Sequence, residues 1–129
     1  MGTGTGIGRV RGLGSARSGT HHWMAQRFTA ISNILLVGWL VVSLVVLPSH
    51  DYAAVTGWLG QPIVAVPMML MIVSVFYHIR LGLQVAIEDY VHDAGLPFAV
   101  LLILTFYVIG AAALGLFAVA KIAFAGGAI

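Results

Sequence analysis

Three long apolar runs are separated along this chain by short breaks, and the breaks carry residues that stop and start helices. The first run covers about residues 28–47 and is closed by Pro48. The second covers about 63–90, with Pro62 and Pro67 suited to its first turn. Gly95 and Pro97 then supply a stop and a restart, and the third run covers about 97–120. Each run is long enough to cross a bilayer, which takes roughly 20 residues. Backbone groups in hydrocarbon must be paired within the segment, so helices are predicted. The alternating pattern of barrel strands is absent. The pattern therefore predicts an all-α membrane protein with three transmembrane helices. An N-terminal segment, residues 1–27, precedes a three-helix membrane domain, residues 28–129.

Composition strengthens this picture. The 129 residues are 60% hydrophobic and 8% charged, and the mean hydropathy is +1.04. That leaves too little polar surface to cover a soluble globule. Arg9, Arg11, Arg17 and Arg27 precede the first span, whereas residues 49–61 contain no Lys or Arg. The positive-inside rule places the N-terminus in the cytoplasm, with Lys121 a mild exception at the far end. The net charge of +2 is largely this topology signal, so nucleic acid is not an expected partner. Residues 1–20 read as a mobile tail without the features of a secretory signal. Their Arg-rich, acid-free character is shared with transit peptides, which makes a mitochondrial inner membrane the second choice after a bacterial one. The Gly-rich start completes no G-x-G-x-x-G frame and follows no strand. With no cysteine, the chain has no thiolate for an iron-sulfur cluster and no site for covalent haem attachment.

Most of the chemically expensive residues sit in the inner half of the second span. His78 is the one histidine inside an apolar run, and Glu88, Asp89 and Asp93 gather at or just past the end. At about 100° per residue, His78, Gly82, Val85 and Asp89 share a face, while Arg80, Gln84 and Glu88 form a separate polar line. An imidazole in mid-membrane is either a ligand to a metal such as haem iron or a hydrogen-bonding link to a neighbouring helix. Arg80 is expected to snorkel toward the headgroups beside Gln84 and Glu88. Arg27 and Tyr90 each suit an interfacial anchor, and Asp89 a helix-end charge. His21, His22, His50 and His92 read as solvated, with His21 the first exception to consider. Met68, Met69 and Met71 read as packing. Ala111 with Gly115, and Gly82 with Ala86, are spaced to let helices approach closely.

Ser18-Gly19-Thr20-His21-His22-Trp23, Gln26-Arg27 and Thr29-Ala30, followed by His78, Gly82, Gln84 and Asp89-Tyr90-Val91-His92, resemble the D-type hydrophobic membrane anchor subunit of succinate dehydrogenase. The resemblance implies a helical bundle formed with a second cytochrome b anchor subunit, sharing one haem b. It implies a ubiquinone pocket beneath an iron-sulfur subunit, which is fed by a flavoprotein subunit; FAD and the clusters would belong to those partners. By the same resemblance, His78 is the axial haem iron ligand, Arg27 approaches a haem propionate, and Asp89 and Tyr90 lie beside the ubiquinone. Arg80 and Glu88 depart from the simplest form of the pattern.

The function implied is an anchor that carries electrons into the quinone pool for the tricarboxylic acid cycle and respiratory chain, without being a complete enzyme alone. The alternatives are a fumarate reductase anchor and a small transport or structural membrane protein in which His78 only joins helices. On one helix, His78 and His92 are about 21 Å apart at 1.5 Å per residue, so they cannot ligate one iron. A six-coordinate haem would take its other ligand from the partner.

Overall fold

The computed structural model describes residues 16–91 and 95–125. Four helices follow in order: α1 (Ala16–Val46), α2 (Tyr52–Leu59), α3 (Pro62–Tyr90) and α4 (Leu96–Ala125). Among the described residues there is no strand. The three long helices are each apolar enough to cross a membrane. The predicted three-span, all-helical architecture is the one found.

Two boundaries differ from the sequence reading. α1 has 31 residues and is about 46 Å long at 1.5 Å per residue, well beyond the roughly 30 Å of a hydrocarbon core. Its first turns therefore continue past the span as helix. Of the expected tail, residues 16–20 are helical, and residues 1–15 lie outside the described residues, as does His92. The expected loop at 49–61 contains α2. Its start is fixed by Asp51, whose Oδ1 accepts from the Ala54 backbone N–H at 2.7 Å, while the Ser49 hydroxyl donates to Oδ2 at 2.9 Å. This is an N-cap holding a backbone donor that the helix cannot satisfy itself.

One side chain of α2 reaches α1. Trp58 stacks on Trp39 with centroids 6.1 Å apart. His50 donates from Nε2 to the Leu44 carbonyl at 2.8 Å, satisfying one of the terminal acceptors of α1. His50 is exposed, as expected of a solvated loop histidine, and is also tied to the helix end.

Pro62 opens α3 as expected, but Pro67 falls inside the helix. Lacking an N–H, Pro67 leaves the Ile63 carbonyl without its usual partner. Gly95, with φ of 90°, makes the turn from α3 to α4 in a conformation that favours glycine.

The long helices form an open row with α3 in the middle. α1 and α4 each pack on α3 but not on one another, and α2 touches α3 and α4. Close approach uses small residues on different sides of the row. A Cβ on Gly82 would lie 3.6 Å from Gln26 Nε2 of α1, and one on Gly115 of α4 would lie 3.4 Å from Ile72 of α3. Among the described residues, the buried apolar side chains are Val64, Ala65, Leu81, Val108 and Val119; α1 supplies none. Phe28, Ile34, Phe106 and Phe117 are exposed, which suits a chain whose outer surfaces meet apolar surroundings.

Candidate functional site

The seam between α1 and α3 carries a cluster of polar side chains. His78 is half-buried, and its Nδ1 lies 2.9 Å from Thr29 Oγ1 on α1. Thr29 also donates to its own helix, 2.8 Å to the Ala25 carbonyl, with the Gln26 carbonyl at 3.1 Å. A threonine hydroxyl has one proton, and a carbonyl has none to give. With that proton directed to Ala25, Thr29 faces His78 with a lone pair, and the proton between them belongs to Nδ1. The opposite assignment would leave two oxygens 2.8 Å apart with no hydrogen between them. This proton assignment makes the neutral His78 imidazole the Nδ1–H tautomer, which has its lone pair on Nε2.

The same seam continues on either side. Toward the inner end, the Gln26 amide lies against Gly82. One turn toward the outer end, helical spacing puts Asn33 beyond Thr29 and Ser74 beyond His78. Asn33 Oδ1 and Ser74 Oγ are buried without a partner, as are Gln26 Oε1 and His22 Nε2. His22, Gln26, Thr29 and Asn33 follow one another at spacings of four, three and four, so one side of α1 is a polar stripe. The sequence reading did not single out this stripe, although its spacing was present.

An open cavity of about 390 Å³ lies at the inner end of the two helices, lined in part by His21 and His22 of α1 and by Tyr77, Gln84 and Glu88 of α3. Arg80 is half-buried, so it does more than snorkel. Its Nε donates to Thr105 Oγ1 of α4 at 3.2 Å and its Nη1 to Gln84 Oε1 at 3.4 Å. Gln84 then donates to Glu88 at 2.8 Å. The polar line read from the sequence is thus a connected chain anchored on α4.

The other site candidates are not gathered around His78. Arg27 is exposed, with its guanidinium 5.1 Å from the centre of the Trp23 ring. It lies about 160° around α1 from Thr29. Asp89 and Tyr90 are exposed at the inner end of α3, with Tyr90 about 18 Å along the axis from His78 at 1.5 Å per residue. Neither lines the cavity, which is reached by their neighbour Glu88. Among the described residues, no three His, Cys, Asp or Glu side chains converge.

The model of the succinate dehydrogenase/fumarate reductase transmembrane subunit family matches residues 1–112. The chain belongs to this family. The hydrophobic membrane anchor subunit of succinate dehydrogenase from Rickettsia bellii (strain RML369-C) is 38% identical over 85 residues, covering 66% of this chain and 68% of the relative. The like-named subunit from Rickettsia conorii (strain ATCC VR-613 / Malish 7) is 36% identical over 86 residues, with the same coverage, 66% and 68%. That from Rickettsia felis (strain ATCC VR-1525 / URRWXCal2) is 35% identical over 74 residues, covering 57% of this chain and 62% of the relative. With three apolar helices, this family member is a multi-pass membrane protein of the anchor type.

Proposed function

We propose that this chain anchors a succinate:ubiquinone oxidoreductase in a bacterial inner membrane and supplies His78 as one axial ligand to a haem b shared with a second cytochrome b anchor subunit. The supporting observation is the Thr29–His78 contact, which leaves Nε2 of a half-buried mid-span imidazole free to donate. When bound, haem b supplies a one-electron redox centre. Arg27 is assigned to a propionate, for which its guanidinium would have to leave the Trp23 ring. Asp89 and Tyr90 are assigned to the ubiquinone side, where an iron-sulfur subunit docked on the cytoplasmic face, reduced by a flavoprotein subunit, brings electrons close. Tyr90 would donate a hydrogen bond to a quinone oxygen, and Asp89 would orient the site or relay a proton through water.

The test is a reduced-minus-oxidised spectrum of the purified complex. A b-type band that is lost in His78→Leu, with the subunits still assembled, supports the assignment. A band that survives the substitution refutes it. The rival reading, in which His78 only joins helices, draws on the same Thr29 bond and requires no b-type band in the wild-type complex.

A further inference from the structure

We propose that Thr29 is the positioning residue for His78, its hydroxyl oxygen accepting the Nδ1 proton so that Nε2 is presented deprotonated and in a fixed direction. This rests on the reading of His78 as a haem ligand. The hydroxyl is itself fixed by donation to the Ala25 carbonyl at 2.8 Å and accepts from Nδ1 at 2.9 Å. Donation thus runs from imidazole to hydroxyl to helix carbonyl. A β-branched side chain in a helix has few χ1 choices, and threonine uses this back-bond to hold one of them. The imidazole cannot rotate about its Cβ–Cγ bond without breaking the contact, so the plane of the ring follows α1 although the ligand belongs to α3.

The outer partner of a metal-bound histidine orients the ring and raises its basicity. Here the partner is neutral, and its own proton is committed to a carbonyl, which polarises the hydroxyl oxygen toward accepting. A more electron-rich imidazole favours the oxidised iron, so the Thr29 hydroxyl lowers the midpoint potential of the haem. A residue that only packed the seam would have no such effect.

The experiment uses the assembled complex, with redox titration of the b-type haem in Thr29→Val and Thr29→Ser. Thr29→Val keeps the branched shape and removes the hydroxyl; Thr29→Ser keeps the hydroxyl. The expected result is an upward shift of the midpoint for Val, a wild-type midpoint for Ser, and unchanged succinate oxidation at the flavin site in both. A wild-type midpoint in Thr29→Val, or equal shifts in both variants, overturns the proposal. If Val prevents assembly, Thr29→Ala against Thr29→Ser makes the same comparison, with only Ala expected to shift. If the wild-type complex carries no b-type haem, the ligand reading falls separately, and 15N shifts of labelled His78 decide the Thr29 contact. The Nδ1–H tautomer upholds donation from His78 to Thr29, and Nε2–H overturns it.

Discussion

Arg80 of α3 donates through Nε to the Thr105 hydroxyl of α4 at 3.2 Å, and Thr105 in turn donates to the Leu101 carbonyl of its own helix at 2.7 Å. This is the arrangement that ties His78 to Thr29 on the other side of the same helix. On both sides of the row, a threonine of the outer helix gives its proton to the backbone and accepts from a side chain of α3. Hydrogen bonds between membrane helices measure about 0.6 kcal/mol on average by double-mutant cycles. Arg80→Met combined with Thr105→Val is therefore expected to show a coupling of roughly that size, read from unfolding in mixed detergent. Zero coupling would mean that the contact does not contribute to α3–α4 association.

Gly115 and Gly110 lie on the same helix in different surroundings. A Cβ on Gly115 would meet Ile72 at 3.4 Å, whereas one on Gly110 would meet nothing within 4 Å. Gly115→Ala should be accommodated, since its new atom reaches ordinary contact distance. Gly115→Leu has to displace Ile72 and should destabilise by about 1–3 kcal/mol, the usual cost of overpacking. Gly110→Leu is the control and should assemble like wild type. Equal behaviour of the two Leu variants would contradict the packing assigned to Gly115.

Asp51 gives the pH dependence. Its carboxyl is held below the ordinary value of 3.8, first by the Ala54 backbone N–H and then by the Ser49 hydroxyl. A carboxyl whose folded value is depressed contributes its stabilisation fully above the unfolded value, and the contribution fades as pH falls through the folded value. Exchange of the Ala54 amide should therefore gain protection above about pH 4 relative to lower pH. In Asp51→Asn, which still caps without ionising, that dependence should vanish. A pH-independent Ala54 amide in the wild type would argue against the cap.

The spans were legible because hydropathy and the Pro and Gly breaks agree, and His78 because it is the one histidine inside an apolar run. α2 was less visible: its eight residues, Tyr52–Leu59, have no periodic stripe, and only Asp51 before them marks a helix start. The role of Thr29 was not legible either, since its partner is 49 positions away and one sequence does not pair helices. The spacing of His22, Gln26, Thr29 and Asn33 does mark a polar side of α1, but not what that side meets. For Arg80, helical arithmetic grouped it correctly with Gln84 and Glu88. Whether that line faced headgroups or α4 depended on packing, and Thr105 decided it.

Tyr90 decides the quinone assignment. It is 84% exposed at the inner end of α3, and Asp89 beside it points about 100° away at the helical step. Its phenol can meet a group brought by lipid, quinone or another subunit. If Tyr90 is only an interfacial anchor, the aromatic ring suffices and the hydroxyl is dispensable. If it donates to a quinone oxygen, the hydroxyl is the working part, because quinone reduction places growing negative charge on that oxygen. Tyr90→Phe separates these cases by removing one oxygen while keeping the ring. The expected outcome is a fall in succinate:quinone kcat/KM of at least about tenfold, equivalent to about 1.4 kcal/mol of transition-state stabilisation. Haem content and succinate oxidation at the flavin site should stay at wild-type levels, since His78 lies about 18 Å away along the helix. Undiminished quinone reductase activity in a fully assembled Tyr90→Phe complex would leave Tyr90 as an anchor at the membrane surface.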